Sequence, residues 1–154
     1  MNREHRVLTT TMQLDGSAAA VFPLLCPVRE YDWIEHWTCE LIYTVSGIAE
    51  LDCVFTTRLP ADGPTDVWVV SRYEPASTIE FIRRNPYRVM RYSITCEADN
   101  TAASSWRWTQ HITALNDEGE AQLRAMNPSE FTTQIATLET MLNHYLRTGT
   151  MLRR

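Results

Sequence analysis

A long amphipathic helix predicted over residues 127–147 constrains the fold more than any other feature of the sequence. Asn127 is a favourable N-cap and Pro128 suits the first helical position. Glu130 stands at the capping-box position, and Gly149 favours termination. The apolar stripe of this helix recurs every three or four residues: Phe131, Ile135, Leu138, Leu142 and Tyr145. At 1.5 Å per residue the helix is roughly 30 Å long, so it needs a partner surface of similar size.

Strand patterns dominate the chain before this helix. Residues 6–14 predict a first strand, and two short helices are predicted after it, over 18–25 and 28–36. Asp62-Gly63-Pro64 breaks the chain between two strands, and residues 116–119 are predicted to form a turn into the final helix. Alternation of apolar and polar residues predicts six further strands: 38–45, 50–56, 67–73, 78–84, 88–97 and 103–115.

This order of elements predicts an α+β fold. Six successive strands joined by short turns favour an antiparallel sheet with one apolar face, and only the final helix is long enough to cover that face. We therefore expect a curved seven-stranded antiparallel sheet wrapped around a long C-terminal helix, with two short helices after the first strand. A chain of 154 residues with 44% apolar side chains suits one domain. We assign it to residues 6–148, with tails over 1–5 and 149–154.

The composition excludes several function classes. All 14 basic residues are arginine, which excludes lysine Schiff-base chemistry, phosphate-loop lysines and pyridoxal attachment. The formal net charge of −5 argues against nucleic acid or an anionic membrane as a partner. The four cysteines show no CxxC pair, no apolar signal segment opens the chain, and no apolar run approaches about 20 residues. These observations predict a cytoplasmic protein with reduced thiols, without membrane insertion and without a cofactor.

Local sequence features agree with one known superfamily. They are Glu30-Tyr31-Asp32-Trp33 through Trp37, Cys39-Glu40-Leu41-Ile42-Tyr43, the Gly47 turn, Trp68-Val69-Val70, and Trp106 with Trp108 before Ala114-Leu115. Together with the order of elements, they resemble the helix-grip fold of the START-like (SRPBCC) superfamily, and its bacterial polyketide cyclase/dehydrase-like members in particular. The resemblance extends over residues 7–146. It implies a cavity between sheet and helix for a hydrophobic, lipid- or polyketide-like molecule, and it carries no shared catalytic motif.

The inward faces of the predicted elements supply the candidate ligand-binding residues. These faces are mostly apolar, with a few hydroxyls and one amide, which suits burial and orientation of a small molecule. The alternative is a filled core in which the hydroxyls bond to backbone or water. The candidates are Trp33, Tyr43, Phe55, Ser71, Tyr73, Phe81, Tyr92, Trp106, Trp108, Gln110, Leu138 and Leu142.

Asp32 and His36 are the candidate catalytic residues. They are four residues apart in the second short helix, so the carboxylate could orient the imidazole as a general base. The alternative is an exposed surface pair. In an enzyme, Tyr43, Tyr92 and Gln110 would add hydrogen-bond donors.

Two further clusters leave alternatives open. Cys26, His36 and Cys39, with Asp32 or Glu35, could form a metal site, but their spacing matches no standard pattern and no metal is predicted. One hairpin carries four arginines that either clamp an anion or lie on a solvated outer face: Arg83, Arg84, Arg88 and Arg91.

Three functions follow as hypotheses. The leading one is a binding protein or carrier for a hydrophobic or aromatic small molecule held between the sheet and the final helix. The second is a cyclase, dehydratase or aromatase that uses general acid/base residues. The third is a protein-interaction module that uses the sheet edge or the Trp33/Trp37 helix, as some co-chaperones of related fold do; a large exposed apolar patch with a closed interior would favour it. A homodimer is compatible with all three.

Overall fold

The computed structural model describes residues 1–59 and 63–154. Asp62, part of the predicted chain break, lies outside these ranges. The described residues form seven strands: β1 (His5–Leu14), β2 (Glu40–Tyr43), β3 (Val54–Thr57), β4 (Asp66–Glu74), β5 (Thr78–Arg84), β6 (Arg88–Asp99) and β7 (Ser104–Ala114). The helices are α1 (Ala18–Val21), α2 (Asp117–Ala125) and α3 (Pro128–Thr148), with 3₁₀ turns at Phe22–Leu24 and Arg29–Asp32.

All strands belong to one antiparallel sheet in the order β1-β7-β6-β5-β4-β3-β2. The long helix α3 packs most closely along β1. The predicted architecture, a seven-stranded antiparallel sheet with a long C-terminal helix, is confirmed. None of the helices in the described ranges is long and apolar enough to cross a membrane.

Local signals set both ends of α3. The Asn127 side chain accepts a hydrogen bond from the Ser129 amide at 3.0 Å, and Gly149 ends the helix with a φ of 73°. That left-handed conformation is one in which glycine has no Cβ penalty. The capping-box role predicted for Glu130 is wrong, because its exposed carboxylate bonds no backbone amide in the described chain.

The buried stripe of α3 faces the sheet, and polar side chains attach its C-terminal half to β1. Phe131, Ile135 and Leu142 are buried, each contributing roughly 1.5–3 kcal/mol. Asn143 donates to the Gln13 carbonyl at 3.0 Å and accepts from the Asp15 amide at 2.8 Å. These bonds position α3 along the edge strand.

The second predicted short helix is shorter than expected. It is a 3₁₀ turn at Arg29–Asp32, and His36, predicted to lie on it, has a left-handed φ of 65°. Asp32 and His36 therefore do not share a helix face, which corrects the predicted catalytic pairing.

Strands β2 and β4 each contain a register shift, and both also carry a residue whose predicted face differs from the observed one. One lies between Leu41 and Tyr43 in β2, and the other lies between Val70 and Arg72 in β4. All four residues of β2 are exposed, and Ser71 is exposed in β4. The inward positions predicted for Tyr43 and Ser71 are wrong. Tyr43 lies in an edge strand whose four residues are all exposed, and Ser71 follows the buried Trp68 and Val70 in the alternation, so it lies on the outer face.

Helix α2 occupies a segment whose start, residues 116–119, was predicted to be a turn. Asn116 caps it by accepting from the Gly119 amide at 2.9 Å. Only Gly119 and Leu123 of α2 are buried, so the segment lacks the continuous apolar stripe that predicts a helix. Gly119 lies against the turn between β5 and β6, where an added Cβ would stand 2.0 Å from the Tyr87 carbonyl oxygen.

We predict that Gly119→Ala lowers the free energy of unfolding by roughly 1–3 kcal/mol, because the new methyl group would overlap backbone that cannot move as a side chain does. Urea denaturation measures this difference. Gln122→Ala, on the exposed side of the same helix, should change stability by less than about 0.5 kcal/mol. Equal stability of Gly119→Ala and the parent protein would contradict the close approach of α2 to this turn.

Candidate functional site

A partly enclosed cavity of about 200 Å³ lies between the sheet, the 29–37 segment and α3. An apolar cavity of about 150 Å³ holds benzene, whereas pockets for drug-sized ligands begin near 300 Å³. The cavity therefore suits a compact molecule built on one substituted ring.

Aromatic rings form most of the cavity wall. Four of the five tryptophans of the chain line it: Trp33, Trp37, Trp68 and Trp108. Phe55, Phe81 and Tyr92 complete the aromatic part. Phe55 stacks on Trp68 with ring centroids 5.2 Å apart, and Phe81 meets Trp68 edge-on at 5.5 Å. These contacts hold the rings of β3, β4 and β5 in a fixed arrangement that favours flat apolar ligands.

Two tryptophans are oriented by hydrogen bonds on the opposite side of the cavity. Trp33 is fully buried, and its indole Nε1 donates to the Leu24 carbonyl at 2.9 Å. Trp37 is half-buried, and its Nε1 donates to the Pro27 carbonyl at 2.8 Å. Both indole N–H groups are thus occupied by backbone, so these rings offer the cavity apolar surface.

Glu30 places a carboxyl group in this aromatic surrounding. Its backbone belongs to the 3₁₀ turn: the amide donates to the Cys26 carbonyl at 2.8 Å, and its own carbonyl accepts from the Ile34 amide at 2.8 Å. No hydrogen bond or ion pair to its side chain forms within residues 1–59 and 63–154. Desolvation raises the pKa of the Glu30 carboxyl to about 8, so at neutral pH the carboxyl carries its proton.

Arg83 supplies a second polar group of the cavity wall. Its Cζ lies 4.0 Å above the Trp68 ring, and its guanidinium pairs with Asp66, which is fully buried. Arg88 binds the same carboxylate with two hydrogen bonds of 3.0 Å. Asp66 therefore holds Arg83 against the ring, and the two buried arginines are not the solvated outer face that the sequence left open as an alternative. Arg84 is exposed, as is Arg91 in its 3.2 Å pair with Glu80.

His36, Glu35 and Gln134 lie at the mouth of the cavity. The His36 side chain is 88% exposed, and its Nε2 is 3.8 Å from Glu35 Oε1. Asp32, the predicted orienting carboxylate, lies outside the cavity and accepts a 2.8 Å hydrogen bond from Arg29. The two predicted catalytic residues are thus not brought together.

The structure divides the predicted ligand-binding residues into two groups. Six of them line the cavity: Trp33, Phe55, Phe81, Tyr92, Trp108 and Leu138. Tyr73 and Trp106 pack instead against Phe22, at 5.3 and 6.3 Å between ring centroids. Gln110 and Leu142 are buried away from the cavity wall, whereas Tyr43 and Ser71 are exposed. The space between the sheet and the helices therefore contains both a filled core and a cavity.

Several cavity residues were missed by the sequence-based prediction, and Glu30 is the most consequential of them. Glu30, Trp33, Ile34 and Trp37 stand at spacings of three, four and seven, the pattern of one helix face. The signal that could have identified Glu30 was its position as the one acidic residue on this otherwise apolar face. No sequence pattern paired Arg83 with Asp66, because 17 residues separate them.

The open metal-site alternative has no geometric support. The described residues bring together no group of three His, Cys, Asp or Glu side chains that could hold a metal ion. Cys26 instead accepts a hydrogen bond from the Ala49 amide at 3.2 Å, and Cys39 lies near the Pro27 carbonyl at 3.8 Å.

We predict that Asp66→Asn lowers the free energy of unfolding by roughly 3–5 kcal/mol, because it leaves two buried guanidinium groups without their shared carboxylate. Thermal and urea denaturation measure the loss. Glu74→Gln removes the exposed partner of Arg72 and should cause only a small change. A loss for Asp66→Asn no larger than for Glu74→Gln would show that the buried network contributes little.

We also predict a pH dependence of stability that originates at Glu30. Its folded-state pKa of about 8 exceeds the ordinary value of 4.5, so between these pH values the unfolded chain releases a proton that the folded chain retains. Stability should therefore fall as pH rises through this window and level off above about pH 8. Urea denaturation across the window should show this decline in the parent protein and in the exposed control Glu118→Gln, but not in Glu30→Gln. The same pH slope in Glu30→Gln as in the parent would contradict the assignment.

Comparisons with known proteins place this geometry in context. No protein-family model and no curated protein matches the chain. The aromatase/cyclase Zhui from Streptomyces sp. R1128 has a similar structure, with a TM-score of 0.69 at 13% identity, covering 97% of this chain and 100% of that chain. Norcoclaurine synthase from Thalictrum flavum, in complex with dopamine and hydroxybenzaldehyde, has a TM-score of 0.64 at 7% identity, covering 94% and 90%. Protein MLL2253 from Mesorhizobium loti has a TM-score of 0.65 at 12% identity, covering 90% and 98%.

These similarities extend over nearly the whole chain, whereas the identities are low, so what they establish is the fold. The resemblance found in the sequence is thus confirmed at the level of architecture: the chain has a helix-grip fold.

Proposed function

We propose that this protein binds a compact aromatic or hydrophobic small molecule in the cavity between the sheet and α3. The observation that carries the proposal is the cavity itself, about 200 Å³ in volume and walled mainly by aromatic rings. Burial of apolar ligand surface there would supply roughly 25 cal/mol per Å² removed from water. The ligand-binding domain is proposed to comprise residues 6–148.

We propose that the six cavity-lining residues named from the sequence contact this ligand. The rings of Trp68, Tyr92 and Trp108 come from strands β4, β6 and β7, and Leu138 lines the cavity from α3. This arrangement supports a ligand lying between the helix and the sheet. Two solved structures of the same fold have names or titles that refer to aromatic chemistry, an aromatase/cyclase and a synthase bound to dopamine and hydroxybenzaldehyde.

The second candidate function is an enzyme of the cyclase, dehydratase or aromatase type. It is favoured by one observation, the presence of Glu30 in the cavity wall, where desolvation raises the pKa of its carboxyl to about 8. An acid that keeps its proton near neutral pH suits proton transfer to or from a bound substrate. His36 is the proposed general base, and it is an exposed group at the cavity mouth. Asp32 does not orient it, because the Asp32 carboxylate is paired with Arg29.

A protein-interaction module has weaker support. Exposed apolar side chains surround the edge strand β2: Leu41, Ile42, Tyr43, Val45, Ile48 and Leu51. This hypothesis also required a closed interior, and the cavity does not meet that condition. A homodimer through this edge remains a hypothesis. A cytoplasmic location is proposed as well, supported by four cysteines that form no disulfide.

The binding proposal predicts that filling the cavity abolishes ligand uptake. Leu138→Trp places an indole from α3 into the cavity, whereas Thr132→Trp adds the same group on the exposed side of that helix. The probe is α-methylstyrene, a one-ring hydrocarbon of suitable size, and the readout is tryptophan fluorescence, since four of five tryptophans line the cavity.

We expect saturable one-to-one binding of α-methylstyrene to the parent protein and to Thr132→Trp, and at least tenfold weaker binding to Leu138→Trp. Circular dichroism and thermal melts check that both variants are folded. Binding that is unaffected by Leu138→Trp, or the absence of saturable binding to the parent protein, would contradict the proposed function.

A further inference from the structure

We infer that Glu30 is the specificity-determining residue of the cavity and that its carboxyl O–H donates a hydrogen bond to a carbonyl oxygen on an aromatic ligand. This inference rests on the proposed function, because it concerns the polar part of the ligand held there. The aromatic wall of the cavity by itself selects ligands only by size and flatness. Glu30 would add a selection by chemical class, and the class that it favours is an aryl carbonyl compound.

The position of Glu30 supplies the first step of the argument. Its backbone is held by the 3₁₀ turn, and Trp33, Ile34 and Trp37 from the same segment line the cavity beside it. The carboxyl therefore enters a mostly apolar wall at a defined place. Glu30 is half-buried, so its carboxyl has lost part of its contact with water. A fully buried polar group without a hydrogen bond costs about 1–3 kcal/mol, and a ligand that provides an acceptor recovers part of such a cost.

The donor and acceptor types of the cavity supply the second step. A protonated carboxyl has one O–H donor, and a guanidinium such as that of Arg83 has donors only. The protonated carboxyl of Glu30 thus favours an oxygen acceptor on the ligand. A neutral carbonyl oxygen satisfies a carboxyl donor without introducing another charge into the apolar wall.

The charged and titratable neighbours of Glu30 agree with a neutral carboxyl. On its own segment, Arg29 is paired with Asp32, and Glu35 lies at the cavity mouth beside the exposed His36. From the following loop, burial raises the pKa of the Cys39 thiol, with a smaller contribution from the Glu30 charge, so this thiol stays neutral near pH 7.

Two residues on the sheet face the same cavity, and they argue against a cationic ligand. Arg83 on β5 and Tyr92 on β6 both line the cavity. An ammonium ligand would bring its charge into the space shared with Arg83. A carboxylate ligand would share that space with a second carboxyl, which is unfavourable once Glu30 ionises.

Three probes with the same arrangement of non-hydrogen atoms test the inference. Acetophenone carries the carbonyl oxygen, α-methylstyrene replaces that oxygen by a methylene group, and 1-phenylethylamine carries an ammonium group. Affinities are measured by calorimetry and tryptophan fluorescence at about pH 6 and about pH 9.5, on either side of the Glu30 pKa of about 8. The proteins are the parent, Glu30→Gln, which keeps a pH-independent N–H donor, and Glu30→Met, which has similar length and no donor.

We expect the parent protein to prefer acetophenone over α-methylstyrene by roughly two- to tenfold at pH 6, the range that one hydrogen bond provides. This preference should disappear at pH 9.5. Glu30→Gln should retain it at both pH values, and Glu30→Met should lack it at both while still binding α-methylstyrene. The retained hydrocarbon affinity shows that the variant is folded with its cavity intact.

Other outcomes overturn specific claims. A preference for acetophenone that persists in Glu30→Met, or one that does not change with pH in the parent, would show that Glu30 is not the donor. If 1-phenylethylamine binds most tightly of the three probes, the ligand is an aryl amine and not an aryl carbonyl compound. If α-methylstyrene does not bind the parent protein at all, the proposed function fails, whereas failure of the carbonyl preference alone leaves that function in place.

Discussion

The packing of a single long helix against one face of a seven-stranded sheet is the interaction on which the rest of this structure depends. The helix α3 is attached most closely to β1, where Asn143 bonds the backbone on both sides of Leu14. Toward its N-terminal half, Leu138 and Gln134 face the cavity instead of a filled core. The region around Phe22, Tyr73 and Trp106 is solidly packed, so one interior contains both a stabilising core and an open site.

The cavity combines a rigid aromatic wall with very few polar groups. Stacked and edge-on rings at 5.2 to 6.0 Å fix Phe55, Trp68 and Phe81 relative to one another. The buried carboxylate of Asp66 holds Arg83 over Trp68, although Asp66 itself does not line the cavity. Stability and ligand chemistry are therefore linked here, since removing Asp66 would disturb both the fold and the polar part of the site.

Much of the fold was predictable, because its main signals are local. The caps at Asn127 and Gly149 and the alternation in β5, β6 and β7 agree with the observed elements to within two residues. The segment after β1 was harder, because Trp33 and Trp37 suggested a regular helix where the chain forms only a 3₁₀ turn. Helix α2 was missed because it buries just two residues.

The candidate site was predictable only in part, and the errors have physical causes. Tyr92 and Trp108 lie in stretches of β6 and β7 where buried residues alternate regularly, so alternation placed them inward correctly. Tyr43 is exposed because β2 is an edge strand that is uncovered on both faces, and Ser71 is exposed because Trp68 and Val70, not their neighbours, form the buried face of β4. Which face of a strand is covered depends on tertiary packing and not on local composition. The sequence by itself determined the order of elements, the long helix and the apolar face, because caps and periodicity act between near neighbours. Only the tertiary structure decided that Glu30 and Arg83 share one cavity and that the Glu30 carboxyl keeps its proton, because both depend on groups distant in the chain that remove water around them.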